Sequence, residues 1–126
     1  MLETHVREQE LSRDRDNPLG VAGFEFVEFA SPEPEKLHRL FGRMGFTRVA
    51  RHREYAITLY RQGDVCFLVN EEPGSFASEF AAKHGPCCPG FALRVDDRAG
   101  AFEACVRKGA RPLGCLLYTS PSPRDA

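Results

Sequence analysis

An incomplete internal repeat limits the possible folds of this chain more than any single residue does. Residues 23–73 carry the patterns of one strand, one helix and three further strands, in that order. From Gly90 the opening pattern returns as one strand and one helix, and in both copies the helix ends on a basic-x-Gly step. The repeat predicts an α+β fold with one complete βαβββ module and the beginning of a second.

The first strand, GFEFVEFA, places large apolar side chains on both of its faces. Phe24 and Phe26 lie on one face, and Val27 and Phe29 lie on the other. A strand that is apolar on both faces is covered on both sides, so we expect it to be central in its sheet.

The helix that follows has clear start and stop signals. We predict Ser31 as its N-cap, Pro32 as its first residue and Gly45 as its end. Its apolar stripe consists of Leu37, Leu40, Phe41 and Met44.

Three strands are expected next, at about 47–54, 56–61 and 65–70. The first of them, TRVARHREY, is polar, which is typical of a strand near a sheet edge. A short helix from Ser75 to about Lys83 follows, with Phe76 and Phe80 one turn apart. In the second copy of the pattern, Asp96 or Asp97 is expected to cap the helix.

These patterns predict five segments. They are a disordered leader (1–16), the first βαβββ module (17–73), a linking helix (74–88), the start of a second module (89–113) and a tail (114–126). The tail has two Ser-Pro steps and no strand alternation, looks foreign to the preceding pattern, and is expected to have no function.

Composition argues against several classes of partner and compartment. The net charge of −1 gives no reason to expect binding to nucleic acid or to an anionic membrane. No apolar stretch approaches the roughly 20 residues that span a bilayer, so we predict a cytoplasmic protein. The five Cys have no metal-type spacing, and the adjacent pair Cys87-Cys88 is interpreted as a loop feature rather than a redox pair.

The residues alone do not assemble an active site. No two of the four histidines have the spacing H-x-H or H-x-x-x-H, so surface positions are favoured for His5, His38, His52 and His84. Glu25 and Glu28 lie on opposite strand faces, and pairing with nearby Arg is the better explanation for them. Glu71 and Glu72 are interpreted as a solvated turn. The cluster RVARHRE is either an anion site or, more simply, a solvated edge-strand face.

Three stretches carry a resemblance to a known family: GFEFVEFASPEP, TLYRQGD and NEEP. Together with the sequence between them, from about Asn17 to Pro112, they resemble the N-terminal region of bacterial 4-hydroxyphenylpyruvate dioxygenases. That family belongs to the vicinal oxygen chelate (glyoxalase-like) superfamily, in which paired βαβββ modules form a cupped sheet. The resemblance implies the same fold as the element order does.

The resemblance also implies a function for the parent protein. The family uses Fe(II), held by two His and one Glu, to convert 4-hydroxyphenylpyruvate and O₂ to homogentisate and CO₂ in tyrosine catabolism. Its ligands lie in a C-terminal half that we expect to be missing here. The corresponding positions in this chain are Phe26 and Gly90, neither of which has a ligand side chain.

We therefore expect no catalytic, cofactor-binding or metal-binding residue in this chain, and no turnover by it alone. Its expected partners are the missing catalytic domain and, in the parent enzyme, further copies of the same protein. Two alternatives stay open: a stand-alone small-molecule binding module of the same superfamily, and a paralogous dioxygenase such as hydroxymandelate synthase.

Overall fold

The computed structural model describes residues 16–113. The elements are β1 (Val21–Ala30), α1 (Pro34–Arg43), β2 (Thr47–Arg51), β3 (Ile57–Gln62), β4 (Val65–Asn70), α2 (Phe76–His84), β5 (Cys87–Val95) and α3 (Arg98–Arg107). This is the predicted α+β order, a βαβββ module followed by a helix and then a strand and a helix. The predictions for the tail, and for all but the last residue of the leader, lie outside the described residues.

The strands form one mixed sheet in the order β2-β3-β4-β1-β5. Strands β2, β3 and β4 are antiparallel neighbours, whereas β1 runs parallel to β4, with Val27 opposite Phe67. The central position of β1 and the edge position of β2 are both confirmed. The prediction that β1 is covered on both faces does not hold at the start of the strand, because Phe24 is 61% exposed.

The main hydrophobic core lies between α1 and the sheet. Its buried members are Phe41, Phe46, Tyr60 and Val69, with Phe29, Leu37 and Phe67 packed against them. The rings of Phe46 and Phe67 stack with centroids 4.4 Å apart. Of the predicted apolar stripe of α1, only Phe41 is fully buried, and Leu40 and Met44 are about half exposed.

Helix α1 begins later than predicted. Ser31 is not its N-cap: the Ser31 hydroxyl accepts a hydrogen bond from the backbone N–H of Glu33 at 3.0 Å, which closes a turn before the helix. Glu33 occupies the N-cap position and Pro34 the first helical one. Either proline could start the helix on sequence grounds, because both lack an N–H and have a preset φ. The predicted end holds, since Gly45 adopts φ 94° directly after the helix.

Two further boundaries differ in detail. Strand β2 ends at Arg51 and not near 54, because the Nδ1 atom of His52 accepts the N–H groups of Glu54 and Tyr55 at 3.1 and 3.2 Å and turns the chain. Helix α2 lies close to its predicted bounds, and Ser75 is its N-cap: the Ser75 hydroxyl accepts the N–H of Ser78 at 3.2 Å.

The rings of Phe76 and Phe80 contact each other at 5.7 Å, as their spacing predicted. The opposite side of α2 forms a small second core in which Ala77 and Ala81 pack with Ala30.

The second copy of the pattern is also present. Strand β5 begins at Cys87, so the adjacent thiols of Cys87 and Cys88 lie in a strand, and the loop interpretation is wrong. The strand also contains Pro89, which is tolerated because β5 has only β1 as a neighbour in this sheet. Of the two predicted caps of the following helix, Asp97 is the N-cap and accepts the N–H of Gly100 at 3.1 Å.

Contacts divide the described residues into two compact units, 24–92 and a smaller one made of 16–23 with 93–113. The hydrophobic clusters described above belong to the first. In the smaller unit, the side chain of Asn17 bonds both backbone groups of Val21, and the Asp96 N–H donates to the Gly20 carbonyl. Within 16–113 no helix has the length and apolar character needed to cross a membrane.

Candidate functional site

A largely buried histidine joins helix α1 to the sheet. The side chain of His38 is only 10% exposed. Its Nδ1 atom lies 2.6 Å from the hydroxyl of Tyr60 on β3, and its Nε2 atom lies 2.8 Å from a carboxylate oxygen of Glu71, just after β4. The prediction of a surface position for His38 is therefore wrong.

The hydrogen bonds around His38 form a directional chain. Arg48 on β2 donates from Nη2 to the Tyr60 hydroxyl at 3.2 Å. With the Tyr60 O–H donating to His38 Nδ1, the Nε2–H of the neutral imidazole is left to donate to Glu71, and each polar atom has a partner. The bond to Tyr60 is the main cause of a raised pKa for Arg48, and the carboxylates of Glu35 and Glu71 contribute further.

A second carboxylate completes the cluster. Glu35 lies one turn before His38 on α1, and one ligand atom from each of Glu35, His38 and Glu71 lies within 4.8 Å of the other two. The spacing Glu35-x-x-His38 is a helix pattern that brings a carboxylate and an imidazole to one face, and it recurs in helical metal sites. Spacing between pairs of histidines does not reveal this pattern, because the partner of His38 in it is a glutamate.

The Glu71-Glu72 pair is not a solvated turn. Glu71 bonds His38, and the Glu72 carboxylate accepts the backbone N–H of Ala56 at 2.6 Å, which ties the end of β4 to the β2–β3 loop. Both residues are only partly exposed. Because each carboxylate has a specific partner, this segment is part of the fold and supports the position of Glu71.

The positions that the resemblance assigns to iron ligands do not form a metal site. Phe26 lies two residues from Glu28 on β1, so both side chains leave the same face of the strand. Gly90 lies beside Glu28, because a Cβ atom added to it would be 3.5 Å from the Glu28 carboxylate. That carboxylate accepts a bond from the amide of Asn70 at 3.0 Å, and within residues 16–113 it has no bond to the predicted arginine. The residues at these positions do not fit an iron centre.

The basic cluster borders a small apolar hollow of about 90 Å³. Its lining residues are Ala50, Arg51, His52, Arg53, Ile57, Leu59 and Leu68. The Nε2 atom of His52 is buried and has no hydrogen-bond partner among residues 16–113, although its Nδ1 atom accepts two backbone N–H groups. The anion-site interpretation of this cluster stays a hypothesis.

Comparison with known proteins identifies the family. Residues 15–119 match the family described as "Hydroxyphenylpyruvate dioxygenase, HPPD, N-terminal". The chain is 49% identical over 98 residues to a 4-hydroxyphenylpyruvate dioxygenase of Pseudomonas sp. (strain P.J. 874). That match covers 78% of this chain and 28% of the relative, so the chain spans under a third of the relative's length.

Two other similar proteins place related sequence in a larger protein. A 3-dehydroshikimate dehydratase of Pseudomonas aeruginosa (strain PAO1) is 39% identical over 105 residues, which is 82% of this chain and 16% of that protein. A solved "xylose isomerase-like TIM barrel/4-hydroxyphenylpyruvate dioxygenase fusion protein" superposes with a TM-score of 0.69 at 36% identity, over 76% of this chain and 16% of that one.

The superposition agrees with the α+β fold predicted from the repeat and with the glyoxalase-like module that the resemblance implied. The family match includes every described element, from β1 to α3. The chain belongs to the hydroxyphenylpyruvate dioxygenase family and corresponds to the N-terminal domain of its members.

Proposed function

We propose that this chain is the N-terminal domain of a cytoplasmic, Fe(II)-dependent 4-hydroxyphenylpyruvate dioxygenase, which forms homogentisate and CO₂ in tyrosine catabolism. The observation that carries the proposal is the family match over residues 15–119. The 49% identity to a Pseudomonas dioxygenase supports it. Within this proposal the first module is 17–73, the linking helix 74–88 and the start of the second module 89–113.

The proposed role is structural and not chemical. Phe26 and Gly90 supply no ligand atoms, and the nearby Glu28 carboxylate is engaged by Asn70. We therefore assign the iron, the substrate pocket and the O₂ chemistry to the part of the parent enzyme that corresponds to the remaining length of the relatives. The partners of this domain are that catalytic part and, in an oligomer, other copies of the enzyme.

The first experiment measures homogentisate formation by the purified 126-residue chain with Fe(II), ascorbate and 4-hydroxyphenylpyruvate. We expect no turnover above a protein-free blank, with the full-length Pseudomonas sp. enzyme as positive control. Appreciable turnover by this chain would refute the assignment of the iron to the remaining part of the enzyme.

The second experiment tests the domain assignment directly. Residues 17–113 of this chain replace the corresponding region of the Pseudomonas sp. dioxygenase, and the chimera is assayed for homogentisate. We expect activity, because the two regions share the fold and about half of their residues. A matched chimera that also carries Phe41→Ala, which opens the core under α1, should lose folded protein and activity together. A folded but inactive first chimera would contradict the proposal.

A second candidate for the parent protein is a fusion of a dehydratase part with a dioxygenase-like part. Proteins named 3-dehydroshikimate dehydratase match this chain at 39% and 37% identity. A parent protein with a dehydratase part fused to a dioxygenase-like part would contain the same domain. Sequencing the native gene separates the two, since only the fusion encodes a TIM barrel in the same reading frame.

A further inference from the structure

We propose that Glu35, His38 and Glu71 form a binding site for a divalent transition-metal cation on the α1-covered face of the sheet. The proposal goes beyond the proposed function, because all of its ligands belong to this chain. Its three ligands are two carboxylates and one imidazole, which come from one turn of α1 and from the end of β4. Oxygen and imidazole donors of this kind suit Mn²⁺, Fe²⁺, Co²⁺ and Zn²⁺.

The three ligand atoms are close enough for a small adjustment to bring them onto one ion. They lie within 4.8 Å of one another, whereas ligands at about 2.0–2.2 Å from a metal are about 3–4 Å apart. Glu35 is the ligand expected to move, because its side chain is exposed. Among residues 16–113 no group hydrogen-bonds its carboxylate, because the neighbouring Lys36 pairs with Glu33.

The imidazole is already held in an orientation suited to a ligand. Metal-bound histidines typically use their second ring nitrogen in a hydrogen bond that fixes the ring. Here the buried Tyr60 hydroxyl contacts Nδ1 at 2.6 Å, which leaves Nε2 directed towards Glu71. On binding, the metal takes the place of the proton on Nε2. That proton moves to Nδ1, which then donates to the Tyr60 oxygen while the Tyr60 O–H turns away from Nδ1, so the neutral imidazole keeps one proton.

The guanidinium of Arg48 opposes a cation here, and its Nη2 atom lies 3.4 Å from His38 Nδ1. Its guanidinium bonds Tyr60, and its pKa is raised in part by the two carboxylates that would bind the metal. The side chain is exposed, so solvent and salt screen its charge. Replacing it in Arg48→Gln should therefore strengthen metal binding a few-fold.

The test is a titration of the 126-residue chain with Mn²⁺, in which the EPR signal measures the concentration of the free ion. Mn²⁺ is chosen because it prefers carboxylate ligands to thiolates, so the cysteines compete little. We expect one saturable site that Glu35→Gln weakens at least tenfold. The matched control Glu33→Gln, two residues away in the same helix start, should bind as the unmodified chain does.

Glu35→Gln is the decisive variant because it leaves the His38–Glu71 hydrogen bond in place and removes no buried contact. Circular dichroism should show an unchanged fold. If Glu35→Gln and the unmodified chain bind Mn²⁺ equally, or if no saturable binding occurs, the cluster is a hydrogen-bonded His–Glu pair and the proposal fails.

A second readout locates the ion. Bound Mn²⁺ should broaden the imidazole NMR signals of His38 before those of His5, His52 and His84, and His38→Ala should abolish the saturable site. Broadening of another histidine with His38 unaffected would place the ion elsewhere and overturn the proposal.

Discussion

Removing the hydroxyl of Tyr60 should destabilise the chain far more than removing that of Tyr55. Tyr60 is 3% exposed, and its oxygen both contacts His38 Nδ1 at 2.6 Å and accepts a bond from Arg48 at 3.2 Å. In Tyr60→Phe the ring and its contact with Phe41 remain, so the change isolates the polar interactions.

The expected loss in the free energy of unfolding depends on whether Arg48 and His38 can each replace the hydrogen bond to Tyr60. Arg48 is exposed and recovers its hydrogen bond from water, so its contribution is small. His38 Nδ1, in a side chain only 10% exposed, keeps only the long 3.4 Å contact from Arg48 Nη2 and is left poorly satisfied, and an unsatisfied buried group costs about 1–3 kcal/mol. We expect the free energy of unfolding to fall by about 2 kcal/mol, which is roughly a 30-fold change in the folding equilibrium.

Urea denaturation of the 126-residue chain measures this loss. With a slope of about 1–3 kcal/mol per M, the midpoint should fall by about 1 M. The matched control is Tyr55→Phe, whose ring is 37% exposed and whose midpoint should stay within about 0.3 M of the unmodified chain. In a His38→Ala background, Tyr60→Phe should cost much less, because the orphaned acceptor is already absent. Equal midpoints for Tyr60→Phe and Tyr55→Phe would refute the buried hydrogen-bond chain.

Three further changes test other parts of the fold. Phe41→Ala should lower the free energy of unfolding by about 3–5 kcal/mol in the same urea assay, because it empties the centre of the main core, and Phe41→Leu should recover part of the loss. Gly45→Ala should lower the free energy of unfolding by about 1–3 kcal/mol, because Gly45 has φ 94° and an added Cβ would lie 2.7 Å from Gln62 Nε2. A urea midpoint equal to that of the unmodified chain would contradict this turn. Burial raises the pKa of the Cys87 thiol, and the neighbouring Cys88 and the Glu28 carboxylate contribute to the shift. Less of Cys87 is therefore thiolate at pH 8, which is the form that reacts with iodoacetamide. Peptide mass spectrometry should show that the exposed Cys88 is labelled before Cys87. Equal labelling rates would show that Cys87 is accessible.

The order of elements was predictable because its signals are local. Apolar alternation, a capping serine at Ser75 and stop signals such as Gly45 each act within a few residues. The start of α1 was misassigned for the same reason: Pro32 and Pro34 carry equivalent local signals, and the turn closed by Ser31 decides between them.

The polar cluster around His38 was not predictable from spacing in the same way. Tyr60 and Glu71 reach His38 from 22 and 33 residues away along the chain, and only the pairing of β3 with β4 under α1 brings them together. On a helical wheel His38 belongs to the polar side of α1. Its burial depends on a tyrosine hydroxyl and a carboxylate that replace water, and these are tertiary contacts. The Glu35–His38 half of the cluster did have a local signature.

The parallel pairing of β1 with β4 has a consequence for how the sheet assembles. Strands β2, β3 and β4 pair with near neighbours in sequence, but Val27 and its partner Phe67 are forty residues apart. Closing so long a loop is slow compared with forming the two hairpins. Strand β1 is synthesised before its parallel partner β4, and it therefore cannot complete that pairing until the chain up to Asn70 has been made. During that interval its apolar side chains are open to any factor that binds nascent chains.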